Sequence, residues 1–392
     1  MPLHANSQFL VNELESLPLL SGRFSKLKLV NYDSIADQKR GCFSLVFSAV
    51  DDMTGEQVAL KFFDLHPALL IDKYRREAFE REQEILKTLI NKNRCLQLVQ
   101  QMEYYDLNIN NGSGPPFTYR CSYFAVQWIK DDIDEYFLNS GVNAIEKLRL
   151  FNETVLAVEA LHRNQVFHRD LKVDNFRALK NSIERCVIAI DLGAAARFAS
   201  GFIKSFYGES VGASGYAGPE AICGLAGNRE LAKYTDIYAL GCLLYELFNS
   251  TYFFCCLEID NPNIGLVLAA MTSHLTGATT DSEQKAAWRK ALSIHGGGIS
   301  PSVIDGAGST APAGIVPILN EVLAALTHFD YDRRPKDLES VRRKIWSAIR
   351  TLQNQKFYTA KLDQQREQRR RREEKLRLKE LRLHQNTSRQ VC

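Results

Sequence analysis

The sequence predicts an α+β fold with a small sheet lobe first and a larger helical lobe after it. Two observations carry this. Between residues 24 and 63 the chain passes through three short stretches rich in β-branched and aromatic residues, and residues 119–129 repeat that character. After about residue 130 the pattern changes, and apolar residues recur at three-and-four spacing. Strands followed by helices are the order of an α+β protein. At 392 residues, 45% hydrophobic and 24% charged, the chain can bury a sizeable core as one large domain or two ordinary ones.

In order, KLKLV, SLVFSAV and QVALKFF read as strands, with DDMTGE as the turn between the last two. IDKYRREAFEREQEILKTLI (71–90) reads as a charged helix whose Phe79, Ile85, Leu86 and Leu89 make one apolar stripe. NNGSGPP (110–116) is a loop by composition, and YRCSYFAVQWI (119–129) returns to strand. NAIEKLRLFNETVLAVEALHRN (143–164) is strongly helical, and IYALGCLLYELF (237–248), apolar nearly all round, suits a helix buried in a core. HGGGISPSVIDGAGSTAPAG (295–314) reads as a surface loop, followed by the helices VPILNEVLAALTHF and ESVRRKIWSAIRTLQNQ. The expected organisation is an extension at 1–20, a first lobe at 21–129, a second at 130–350 and a basic helical or disordered tail at 351–392.

Several classes are disfavoured. No apolar run reaches the ~18 residues that span a bilayer. MPLHANSQFL lacks the basic-then-apolar order of a signal peptide, Pro2 stands where myristoylation needs glycine, and RQVC is not a prenylation site. Nine scattered cysteines contain no CxxC pair, so the expectation is reduced thiols in a cytoplasmic protein and no zinc site. The net charge of +3 hides an asymmetry: residues 361–389 hold eleven Lys or Arg against five Asp or Glu.

Four motifs then fall in order: VALK at 58–61, HRDLKVDN at 168–175, DLG at 191–193 and GPE at 218–220. Together they resemble the protein-kinase signature set, of the eukaryotic-like (Hanks-type) Ser/Thr branch. Several motifs in the right order on the expected strands and loops are far more specific than any one of them. The resemblance spans roughly residues 24–350 and implies a two-lobed kinase-like fold: a small N-terminal antiparallel sheet lobe and a larger helical C-terminal lobe.

It also implies roles. Phosphoryl transfer asks a protein to align ATP, metal and acceptor and to neutralise spreading charge. Asp170 would accept the acceptor hydroxyl's proton or orient that hydroxyl, and Lys172 would sit near the γ-phosphate. Asn175 and Asp191 offer oxygen ligands suited to Mg²⁺. Lys61 would contact the α- and β-phosphates, anchored by a carboxylate on the following helix. Of Glu80, Glu82 and Glu84, Glu82 shares a face with inward-packing Ile85 and Leu86, so it is the expected partner. Val46 and Ala59 would roof the adenine, with Val126, Gln127 and Trp128 at the hinge. His168 and Leu192 are expected in an apolar column rather than in catalysis. Asp236 is expected to anchor the catalytic loop, and Glu220 with Arg334 to form a scaffold ion pair.

The chain departs from the pattern in places. Against G-x-G-x-x-G-x-V stands KRGCFSLV (39–46), where only Gly41 matches; Lys39 and Arg40 either compensate with charge or stand exposed. Arg177 replaces an apolar adenine floor and either stacks or turns away. Ala213 replaces a platform threonine. Arg169 before Asp170 implies control by phosphorylation of the activation loop, with Ser205 or Ser210 as the phosphorylated residue; Tyr207 is also in that loop. The tail REQRRRREEKLRLKELRL suits a solvated helix, or binding to nucleic acid, an anionic membrane or an acidic protein. Two rival readings accompany a kinase acting on protein substrate: a pseudokinase scaffold, from the damaged loop and Arg177, and a small-molecule kinase.

Overall fold

Alternation along the strands builds a five-stranded antiparallel sheet, seen in a computed structural model. It describes residues 2–389 apart from 42, 110–116, 140, 181–184, 198–211, 213 and 305–307. Strands β1 (Phe24–Leu29), β2 (Ser44–Asp51), β3 (Glu56–Phe63), β4 (Leu98–Ile109) and β5 (Phe117–Gln127) lie in the order β1-β2-β3-β5-β4. The sequence patterns indicated all of these strands except β4, whose outward positions are mostly polar. The loop expected at 110–116 lies outside the described residues.

Every position of β3 from Val58 to Phe63 is buried, because a helix covers each face of the sheet. Helix α1 (Ala5–Ser16) lays Leu10, Val11 and Leu14 on one face, beside Phe24, Phe47, Leu60 and Phe62. Helix α2 (Lys73–Thr88) covers the other, where Phe79 packs on Phe63 and Phe124 at ring distances of 5.5 and 5.0 Å. The segment expected as an extension thus contributes core.

The helical lobe gathers around α3 (Ala144–Arg163) and α4 (Ala232–Asn249), the latter buried nearly all round as its composition predicts. Helices α5 (Phe253–Asp260), α6 (Ile264–His274) and α7 (Asp281–His295) fill a region to which the sequence patterns assign nothing. Helix α8 (Val316–Leu326) follows, then α9 (Glu339–Arg389). The first turns of α9 bury Val341, Ile345, Ile349 and Leu352; its described residues beyond are mostly exposed. A short hairpin of β6 (Phe176–Lys180) and β7 (Arg185–Ala189) carries the chain between the two central motifs. Among the described residues no single helix is long and apolar enough to cross a membrane. Helices α4 and α5 pass only as a pair bent by 91°, and their buried side chains belong to the lobe's core.

Candidate active site

Pairing along the sheet sets the first half of the site. Val46 lies opposite Lys61, and Ala59 opposite Val126. Ala59 and Val126 are buried, while Val46 and Trp128 are partly so. Gln127 ends β5, its N–H donating to the Gln97 carbonyl (2.9 Å). These are the residues expected around adenine; all but Trp128, one residue past β5, lie on adjacent antiparallel strands.

Lys61 points its ammonium between two carboxylates. It donates to both oxygens of Glu82 (2.7 and 2.9 Å) and to Asp191 Oδ1 (3.0 Å). Glu82 is wholly buried on α2, while Glu80 and Glu84 face solvent. Glu82 Oε1 also accepts from the Leu192 N–H (3.0 Å), so the helix grips the DLG turn directly. The Asp191 side chain keeps 40% of its surface open. Burial would pull the Lys61 ammonium down, but Asp191 and Glu82 more than reverse it, so it is held above its usual value. Lys61 in turn holds the Asp191 carboxyl below the usual range. Burial pushes the Glu82 carboxyl up, with Lys61 opposing.

The second half comes from the catalytic-loop motif. Asn175 Nδ2 donates to the Asp170 carbonyl (2.7 Å) and to Asp170 Oδ2 (3.1 Å). This leaves the amide oxygen as the atom of Asn175 that could ligate a cation. Lys172 Nζ stands 3.8 Å from Asp170 Oδ2. The two halves join through the Ile190 N–H, one residue before Asp191, which donates to the Asn175 carbonyl (2.8 Å). His168 is buried, its Nε2 bonded to the Ile190 carbonyl (2.9 Å), and Leu192 is buried two residues beyond that carbonyl.

The loop's backbone is strained. Arg169 and Asp191 hold φ of +63° and +60°, a left-handed region costly for side-chain-bearing residues. Asp236, at the start of α4, compensates by accepting from the N–H groups of His168 (2.8 Å) and Arg169 (2.7 Å). His162 Nε2 adds a bond to the same carboxylate (2.8 Å). Lower down, Arg334 and Glu220 make a bidentate pair at 2.6 and 2.9 Å with both side chains wholly buried.

The departures from the pattern are resolved in part. Gly41 holds φ +86°, which glycine tolerates freely. The Lys39 side chain is turned inward to Asp64, and the exposed Arg40 lies 3.6 Å from Asp33. Arg177 Nη1 donates to the Asp174 and Phe176 carbonyls (2.9 and 2.8 Å), so backbone oxygens hold its guanidinium. Ala213, Ser205, Tyr207 and Ser210 lie outside the described residues.

Sequence reasoning missed Phe43 and Arg81. The Phe43 ring rests on Gly193, where an added Cβ would come within 2.4 Å of it. Arg81, next to Glu82, donates to the Gly193 carbonyl (3.2 Å). No periodicity marks either contact, since both bridge the lobes.

Residues 39–335 match the family described as protein kinase domain. The chain is 28% identical over 236 residues to a serine/threonine-protein kinase of Debaryomyces hansenii, covering 56% of this chain and 36% of that one. It is 28% identical over 240 residues to the SNF1-related protein kinase catalytic subunit alpha KIN12 of Arabidopsis thaliana, covering 60% and 42%. It is 27% identical over 240 residues to Serine/threonine-protein kinase SIK2 of Gallus gallus, covering 61% and 26%. The matches therefore span under half the length of these curated relatives. The motifs, the two lobes and these matches agree: the chain belongs to the eukaryotic-like Ser/Thr protein kinase family.

Proposed function

We propose that the protein transfers the γ-phosphate of ATP to Ser or Thr hydroxyls of protein substrates. The observation that carries this is Lys61 bonded at once to Glu82 and Asp191. A cation fixed in this way has no purely structural need of the partly open Asp191 carboxylate. In this reading Lys61 binds the α- and β-phosphates. Asp170 orients the acceptor hydroxyl and takes its proton, and Lys172 offsets charge on the moving phosphoryl group. The donor set of Asp191 carboxylate and Asn175 amide oxygen fits Mg²⁺, a hard cation preferring oxygen. When bound there, the ion would neutralise phosphate charge. The Glu220–Arg334 pair and Lys172 favour a platform for protein rather than a small molecule as acceptor.

The test is phosphate transfer from ATP to a peptide array with and without Mg²⁺, in wild type and Asp170→Ala. A fall of about 10²–10⁴-fold in the variant is expected. Equal transfer by both proteins would overturn the assignment. Nucleotide binding without transfer would return the scaffold reading.

Control by activation-loop phosphorylation belongs to the same proposal. Arg169 and Arg81 stand at the start of that segment: Arg169 Nε donates to the Ala194 carbonyl (2.8 Å) and Nη1 to that of Ala226 (3.0 Å), and Arg81 reaches Gly193. A phosphate on Ser205 or Ser210 would meet this basic cluster and order the loop. Mass spectrometry finding both serines bare in active protein would end the idea. The cysteines Cys95, Cys121, Cys186, Cys223, Cys242, Cys255 and Cys256 are free thiols, which supports a cytoplasmic setting. The exposed Arg366 and Arg369–Arg372 on α9 offer charge to nucleic acid, an anionic membrane or an acidic protein. Binding that does not weaken with salt would exclude all three.

A further inference from the structure

The loop around Gly41 lacks two of the three glycines that would let its backbone mould to phosphate. Side-chain bonds, some of them buried, stand in their place. Tyr32–Asp33 pairs with Gln38–Lys39 as a short ladder leading into the loop. On one side of the loop's neck, Asn31 Nδ2 donates to the carbonyls of Arg40 (2.8 Å) and Ser44 (3.0 Å), and its Oδ1 accepts from the Val46 N–H (2.9 Å). On the other side stands Asp64, the residue after β3. Its N–H donates to the Phe43 carbonyl (3.0 Å), and its Oδ2 pairs with the Lys39 ammonium. Asp64 thus holds both ends of the Lys39–Phe43 segment.

The remaining oxygen of Asp64 reaches out of the loop. Oδ1 accepts from Ser7 Oγ on α1 (2.5 Å) and from the His66 N–H (3.2 Å). Ser7 is wholly buried, and the Lys39 and Asp64 side chains are only 8% and 4% exposed. A carboxylate so placed is stable only if each oxygen is satisfied. Removing the Ser7 hydroxyl takes a charge-assisted bond from Oδ1 and loosens the group that closes the loop. Helix α1 lies outside residues 39–335, which match the family.

We propose that Ser7, Asp64 and Lys39 are positioning residues, through which α1 sets the phosphate-facing loop above Lys61 and Asp191. The consequence for ATP rests on the kinase reading; the brace itself does not.

Two measurements on the full chain test this, using wild type, Ser7→Ala, Lys39→Met and the double variant. Hydrogen exchange without nucleotide reads the brace. In Ser7→Ala the Asp64 and Val46 amides should exchange about tenfold faster, while the amides between β4 and β5 keep wild-type rates. Binding of a fluorescent ATP analogue with Mg²⁺ reads the positioning. Each single variant should bind about tenfold more weakly, and the double variant little worse than either. Where transfer is measured, KM for ATP should rise with kcat within about twofold. Unchanged exchange, or exchange that rises equally in β4 and β5, overturns the brace. Faster loop exchange with unchanged nucleotide affinity overturns the positioning role. A wild type that binds no nucleotide ends the kinase reading, and the exchange result still decides the brace.

Discussion

At the scale of single residues, the behaviour of Lys61 follows from its two carboxylate neighbours. A carboxyl depressed in the fold, like Asp191, adds stability above its unfolded value near 3.9, and that stability is lost as pH falls through the folded value. An ammonium raised in the fold, like Lys61, adds stability present below about 10.4 that is lost as pH rises through its folded value. Lys61 and Asp191 therefore stay charged across the neutral range. Lys61→Met should be less stable than wild type at neutral pH, with the gap narrowing below about pH 4. Thermal melts of both proteins from about pH 3 to 8 check this; a constant gap would contradict it. Lys61, Asp170, Asn175 and Asp191 were legible in the sequence because each sits in a short contiguous motif. Glu82 was legible for a different reason: one face of α2 is apolar, and only this acid lies on it. The Ser7–Asp64 and Lys39–Asp64 contacts were not, because their partners are 57 and 25 positions apart and no local pattern joins them.

At the scale of elements, close packing of helices sets narrow tolerances. Gly241 on α4 faces α8, and an added Cβ would lie 2.4 Å from Thr327 Cγ2 and 3.0 Å from Leu326 Cβ. Gly241→Ala is expected to cost about 1–3 kcal/mol by forcing the two helices apart. Urea unfolding followed by circular dichroism would measure it, and a neutral result would mean that α8 yields freely. Long periodic helices such as α3 and α4 were legible, as were strands of alternating character. Helices α5 and α6 were not, being short and without a clear polar face. Helix α7 did carry a usable signal: Thr280 and Glu283 form a capping box, whose three-residue spacing is plain in the sequence itself. Strand β4 was missed because its positions are only partly buried at the sheet's edge, which weakens alternation.

At the scale of the whole molecule, Lys61, Arg81 and Glu82 bond the sheet lobe to the DLG turn, and a buried ion pair fastens the helical lobe internally. Arg334 and Glu220 fasten the segment after the activation loop to the lobe's base, with Arg334 also donating to the Tyr234 carbonyl (2.9 Å). Arg334→Ala leaves a buried carboxylate without its partner and should destabilise the chain by about 3–5 kcal/mol. A chemical denaturation midpoint equal to wild type would refute this. Read alone, the sequence determined the family, the order of sheet before helices and the residues proposed for phosphoryl transfer. These follow from local composition and contiguous motifs. Only the tertiary structure decided that Lys39 turns inward to Asp64, that backbone carbonyls hold Arg177, and that α1 belongs to the sheet's core. Each depends on which buried groups distant chain segments bring within bonding distance, and burial leaves a charge no choice but the partner it finds there.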